Sequence, residues 1–170
     1  MAEALANVKS IRNITFELCA WGWGNVENFG PKFGHLWRTS PDISDNWESM
    51  MWNIDINDEV RFRKPGVQGP DSGWNYPDGL FVGKGGMKYI NKKNAINCIK
   101  IFSISISVLI GMSTIEYQTH FALWCLVKAP LMLGTDLTKM SKDSESYKII
   151  SNERLIAINQ DPLGKSRISE

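Results

Sequence analysis

Histidine and cysteine are scarce in this chain of 170 residues, with two of the former (His35, His120) and three of the latter (Cys19, Cys98, Cys125). So few histidines exclude a histidine-rich metal centre. Three cysteines at these spacings form neither a disulfide-dense scaffold nor a metal-binding cluster. An excess of one charge is missing as well. Nineteen Lys and Arg face 18 Asp and Glu, a net charge of +1 that gives no electrostatic reason to expect nucleic acid or an anionic membrane as partner. The longest uncharged apolar run, residues 101–112, falls well short of the ~20 residues that span a bilayer. The opening Met-Ala-Glu-Ala-Leu-Ala-Asn has no basic start and no apolar run, so no signal peptide is read there and the chain as given is expected to be soluble.

Aromatic side chains are plentiful, with seven Trp and 11% Phe, Trp and Tyr. Surplus Trp either lines carbohydrate clefts or packs cores. The remaining composition, 43% hydrophobic and 22% charged, is that of one globular domain with a core of its own.

Periodicity predicts alternating short strands and helices. Residues 1–9 read as the end of a helix, and 11–18 as a buried strand ending at Cys19. Gly22, Gly24 and Asn25 mark a loop, and 37–39 a second strand. A helix follows over 45–53, with Ser44 as its N-cap. Residues 64–73 hold two Pro and three Gly and must be loop. The turn-rich 73–78 runs into Leu80-Phe81-Val82. Helix is expected over 115–128, a short strand at 131–133, and helix again over 137–150 and 152–158. Strand, loop and helix in repetition favour a parallel sheet with helices outside it, an α/β fold. Each strand ends in small or polar residues: Cys19-Ala20-Trp21, Arg38-Thr39, Asn75 to Asp78, and Thr135-Asp136. Those are the positions where (β/α)8 barrels carry their chemistry. About four such units are legible, half a barrel, whose inner face needs a missing half or a partner.

Residues 88–111 break the pattern. They are biased toward Ile, Lys, Asn, Ser and Phe, residues read largely from AT-rich codons, and Ser and Ile alternate with strand period at 103–107. The segment reads as translated non-coding sequence, with an extra β element as the alternative.

Several motifs stand in a fixed order: Phe16-Glu17-Leu18-Cys19-Ala20-Trp21-Gly22, Leu36-Trp37-Arg38-Thr39-Ser40-Pro41-Asp42-Ile43, Gly73-Trp74-Asn75-Tyr76-Pro77-Asp78, Gly85-Gly86-Met87, Lys128-Ala129-Pro130-Leu131 and Asn159-Gln160-Asp161-Pro162-Leu163-Gly164. Together they resemble the α-galactosidase (melibiase) family, family 27 of the glycoside hydrolases, over all but the 88–111 stretch. The resemblance implies a partial (β/α)8 TIM barrel, roughly its last four strand–helix units. The family runs from Gly-Gly-Met directly into a helix, and here Gly86-Met87 resumes as Gly111-Met112, so 88–111 has the position of an insertion such as a retained intron.

Members of this family are retaining glycosidases, which need two carboxyl groups about 5–5.5 Å apart, one nucleophilic and one acting as acid and then base. By resemblance Asp42 matches the acid/base. Its pKa then has to sit high enough to hold a proton, as a partly desolvated site beside a second carboxylate provides. Read without the motif, Asp42 is a helix-capping residue. Arg38 matches the arginine that binds sugar hydroxyls, its fork of donors suiting paired oxygens. Asp78 matches a sugar-binding aspartate, an acceptor for ring hydroxyls. Trp21 and Trp74 are candidates for apolar walls of the pocket or for core. The implied substrates are α-galactoside oligosaccharides, glycolipids or glycoproteins, with no metal or organic cofactor. An intact member would be secreted or lysosomal/vacuolar.

Four departures matter. The family nucleophile lies in a Lys-Tyr-Asp strand that these 170 residues do not contain, so the isolated chain is expected to be inactive or nearly so. Ala20 replaces a Glu that contacts the sugar 2-position, which makes α-N-acetylgalactosaminidase an alternative, with a non-catalytic, weakly binding fragment as another. Asn-Asp-Pro-Asp-Met has become Asn75-Tyr76-Pro77-Asp78-Gly79. The C-terminal β-sandwich of the family is absent from the sequence. Asn13-Ile14-Thr15 is a glycosylation sequon, meaningful only in an exported protein. Cys19 and Cys125 are either disulfide partners, as an exported family member favours, or buried thiols.

Overall fold

The computed structural model describes residues 1–8, 14–64, 66–85 and 111–164. Asn13, Cys98 and the 88–110 stretch singled out in the sequence lie outside the described residues. Three short strands, β1 (Glu17–Leu18), β2 (Leu36–Arg38) and β3 (Trp74–Tyr76), form a sheet in that order. All are parallel: Leu18 lies opposite Trp37, and Arg38 opposite Tyr76. A parallel bridge between Leu80 and Leu133 continues the series. The parallel α/β architecture expected from the alternation is therefore present.

The helices are α1 (Ala2–Ala6), α2 (Val26–Phe33), α3 (Trp47–Arg63), α4 (Thr114–Leu126), α5 (Glu145–Ile150) and α6 (Glu153–Asn159), with a 3-10 turn at Leu137–Lys139. Ser113 starts α4 with a capping box: its hydroxyl accepts from the Glu116 amide and the Glu116 carboxylate accepts from the Ser113 amide. Packing of α4 on α3, α5 and α6 builds the main core around Met50, Leu80, Val82, Tyr117, Phe121 and Trp124. A smaller cluster of Val26, Trp37 and Val67, with Leu18, Ala20 and Phe29 against it, seats α2 on the sheet.

Locally the structure departs from these expectations at four places. Residues 26–33, given no element of their own after the loop marked by Gly22, Gly24 and Asn25, form α2, which tolerates Pro31 because the Glu27 carbonyl released by the missing amide accepts from Lys64 Nζ at 3.4 Å. The cap of α3 is Asn46, whose Oδ1 accepts from the Ser49 amide at 2.8 Å, and not Ser44. Within the predicted first strand, Glu17–Leu18 form β1 and the Phe16 carbonyl accepts from the His35 amide at 2.9 Å, while 11–13 lie outside the described residues. Residues 137–150 are two pieces rather than one helix, because Ser144 starts a new cap at α5. Of the two alternatives open for Cys19 and Cys125, the bridge between them is not formed. Both are free thiols, Cys19 exposed just beyond β1 and Cys125 fully buried on α4, where desolvation pushes its thiol up to about 12.

Candidate functional site

Three candidate side chains converge at the C-terminal ends of β2 and β3. Arg38 is the last residue of β2 and its side chain is only 6% exposed. Its Nη2 reaches Asp78 Oδ2 at 2.9 Å, the Ser40 carbonyl at 3.0 Å and Asp42 Oδ1 at 3.2 Å. Arg38 Nε is also buried, with no hydrogen-bond partner. A single guanidinium thus lies between two carboxylates of different accessibility, Asp78 at 17% exposure and Asp42 at 74%.

The loops that carry these groups are fastened from α3 and α4. Asn53 donates to the Pro41 and Pro77 carbonyls at 3.0 and 2.9 Å, and Ser40 Oγ donates to the Pro77 carbonyl at 3.0 Å. Thr39 Oγ1 donates to Asn57 Oδ1 at 2.8 Å. Asp78 adopts φ +94°, a left-handed conformation costly for a residue other than Gly. It is held there by three elements. Its Oδ2 accepts from the Ile43 amide at 2.8 Å, its Oδ1 from the Gly79 amide at 2.7 Å, and its carbonyl from Trp124 Nε1 on α4 at 2.7 Å. Asp42 caps no helix. It projects from the loop before α3, open to solvent on its free side.

Glu17 was not singled out by sequence reasoning. Strand alternation puts it, Arg38 and Tyr76 on one face, since Glu17 pairs with Leu36 and Arg38 with Tyr76. Partial burial, then Asp78, raise the Glu17 carboxyl above the usual range, against the pull of Arg38. The Tyr76 phenol is raised by burial and then by Asp78 and Glu17, so it is a neutral donor at any ordinary pH. The one available signal was period 2: a carboxylate two places from a strand end, on the face that carries Arg38.

The two candidate tryptophans stand at opposite ends of the sheet, Trp21 beyond the end of β1 and Trp74 at the start of β3. Trp21 sits in a turn at φ +52°, edge-on to Trp23 with ring centroids 6.4 Å apart, next to the Gly22 amide that donates to the Arg38 carbonyl. Trp74 starts β3 and lines two cavities at the N-terminal ends of the strands, of about 670 and 310 Å³, which Arg38, Asp42 and Asp78 do not line. Ala20 packs against the cluster of Val26, Trp37 and Val67. Among the described residues no group of three His, Cys, Asp or Glu side chains could hold a metal ion, and no helix is long and apolar enough to cross a membrane.

This arrangement supplies a fixed guanidinium donor, a well-held acceptor in Asp78, a neutral phenol and a solvent-facing carboxyl. Such a set can hydrogen-bond a polyol, with Asp42 open to solvent on the side away from Arg38. Comparison with known proteins points the same way. The family described as Alpha galactosidase A matches residues 103–161. An α-galactosidase of Oryza sativa subsp. japonica is 39% identical over 90% of this chain and 29% of its own length. α-Galactosidase 2 of Arabidopsis thaliana is 38% identical over 96% of this chain and 33% of its own. Among solved structures, a candidate α-galactosidase from Bacteroides fragilis superposes with a TM-score of 0.72 at 32% identity, covering 98% of this chain and 32% of that one. The Saccharomyces cerevisiae α-galactosidase with raffinose gives a TM-score of 0.63 at 24% identity over 96% of this chain and 34% of that one, a likeness of fold alone. The chain thus spans about a third of the length of these relatives, and over that third it is similar to the α-galactosidase family.

Proposed function

We propose that this chain carries the acid/base side of a retaining α-galactosidase site, and that the whole protein releases terminal α-linked galactose. The observation that carries the reading is the Arg38–Asp42–Asp78 cluster at adjacent parallel strand ends. In this reading β1, β2, β3 and the Leu80–Leu133 bridge are the last four strands of a (β/α)8 barrel. Arg38 and Asp78 hold sugar hydroxyls. Asp42 protonates the departing oxygen and then takes a proton from the attacking water. The nucleophilic carboxylate comes from a Lys-Tyr-Asp strand outside these 170 residues. The substrates are α-galactoside oligosaccharides, glycolipids or glycoproteins. The raffinose bound by the yeast relative and the galactosidase names of the plant relatives support that class. An exported or vacuolar setting rests on the family resemblance and the Asn13 sequon.

The test uses the full-length protein on a nitrophenyl α-galactoside and on its N-acetylgalactosamine counterpart. Turnover of the galactoside is expected, with Asp42→Asn lowering kcat/KM by at least ~10²-fold on an unactivated galactoside such as raffinose and by less on the nitrophenyl galactoside, whose leaving group needs little protonation. Undiminished turnover in Asp42→Asn removes Asp42 from its role. Preference for the acetamido sugar replaces the substrate class.

A further inference from the structure

We propose that the chain closes on itself at Gly85 and Gly111 with Asp45 as the fastener, so that residues 86–110 are dispensable and a chain joining Gly85 directly to Gly111 keeps the fold. A Cβ built on Gly85 would lie 3.0 Å from Gly111 Cα and 3.3 Å from Gly111 N. The two Cα atoms are therefore within about 4.5 Å, close to the ~3.8 Å of consecutive residues. The nitrogen that a direct peptide bond from Gly85 would use is already beside it.

One carboxylate spans this joint. Asp45 Oδ2 accepts from the Gly85 amide at 2.6 Å, the last described donor before the segment, and Oδ1 accepts from the Met112 amide at 3.0 Å, just after it. The Tyr117 hydroxyl of α4 donates to both oxygens at 2.9 and 2.7 Å. Its phenol is pushed up by burial and by Asp45, which keeps it protonated as a donor. Ser113 then opens the capping box of α4 one residue further on. The join is tight on the side-chain side. A Cβ at Gly85 would meet Asp45 Oδ2 at 2.5 Å, and one at Gly111 would meet Tyr117 Oη at 2.9 Å, so a larger residue at either end displaces the Asp45–Tyr117 pair. Two glycines meeting under one carboxylate are the geometry of a continuous backbone. The composition of 88–111 agrees, since its Ile, Asn, Lys and Ser bias stops where this joint begins. A direct bond also removes the entropy of closing a long loop, so it favours the folded state.

The experiment compares the 170-residue chain with the variant deleted for 86–110, by far-ultraviolet circular dichroism, near-ultraviolet signal from the Trp residues and thermal melting. The deleted chain is expected to show a cooperative transition at the same temperature as the parent or a few degrees higher. Asp45→Asn in the deleted chain is expected to lower its melting temperature by several degrees. A deleted chain that lacks a folded signal, or melts below its parent, overturns the proposal, and so does an Asp45→Asn change that leaves melting untouched. Hydrolytic activity plays no part in these readouts, so the outcome is independent of the proposed function.

Discussion

At Arg38 one buried guanidinium serves two carboxylates that differ in the solvent they keep, and stability depends on that difference. Asp78 is 17% exposed and also satisfies the Ile43 and Gly79 amides, so Asp78→Ala strands a buried cation and two donors. A loss of about 2–4 kcal/mol is expected in urea unfolding. Asp42, 74% exposed, contributes far less, and Asp42→Ala is expected to cost under ~1 kcal/mol. Equal losses would show that Arg38 does not rank the two. His120 gives a pH test. It is fully buried edge-on to Trp124, with Nε2 accepting from the Phe81 amide at 3.1 Å, and desolvation lowers it to about 3. The unfolded chain therefore binds a proton near pH 6.5 that the folded one refuses. The stability this residue contributes is complete above pH 6.5 and is lost toward pH 3, by at most ~1.4 kcal/mol per unit. Unfolding curves of wild type and His120→Gln from pH 7 to 4 are expected to differ in slope by that amount, with the variant flatter.

Among the elements, close approach decides which residues are tolerated. Gly73 has φ +103°, and a Cβ there would sit 2.5 Å from the His35 carbonyl oxygen, inside the β2–β3 pairing. Gly73→Ala is expected to cost more than ~2 kcal/mol, from the strained backbone and the displaced strand together. Gly30 in α2 faces the Trp37 ring, where an added Cβ would lie 2.7 Å from the nearest ring carbon. Gly30→Ala therefore gains up to ~1 kcal/mol of helix propensity but loses ~1–3 in overpacking, and net destabilisation is expected. Thermal melting of both variants measures the balance. The same elements show what the sequence could and could not reveal. α4 was legible because a capping serine, an apolar stripe and Ala129-Pro130 mark both its ends. α2 was not legible because Gly30 and Pro31 are loop signals unless a neighbour fills the gaps, and here Trp37 and Lys64 do so from distant positions. The choice of Asn46 over Ser44 as cap turns on a shift of two residues that propensity does not resolve.

For the molecule as a whole, order along the chain was legible and convergence was not. Motif order gave the succession β1, β2, β3 and the Leu80–Leu133 bridge. The meeting of Arg38, Asp42 and Asp78 depends on tertiary fastening by Asn53 and Trp124, which no local pattern encodes. That fastening also limits what the isolated chain can do. Arg38 Nη2 lies 3.2 Å from one carboxylate and 2.9 Å from the other, so the nearer oxygens of Asp42 and Asp78 are at most about 6 Å apart, an upper bound that includes the spacing of a retaining pair. Asp78 nevertheless makes a poor nucleophile. Its oxygens accept from two amides and the guanidinium, which lowers their reactivity and fixes their direction. Glu17 is raised by partial burial and lies lower on the strand face. In the proposed reading, proton donation by Asp42 alone is worth about 10²–10⁴-fold, a small part of a glycosidase rate. The 170-residue chain incubated with an activated 2-fluoro-galactosyl donor is therefore expected to form no covalent adduct by mass spectrometry and to show at most trace release of the leaving group. An adduct on Asp78 or Glu17 would mean that a complete double displacement resides within this third of the protein, and the division of labour proposed here would fall.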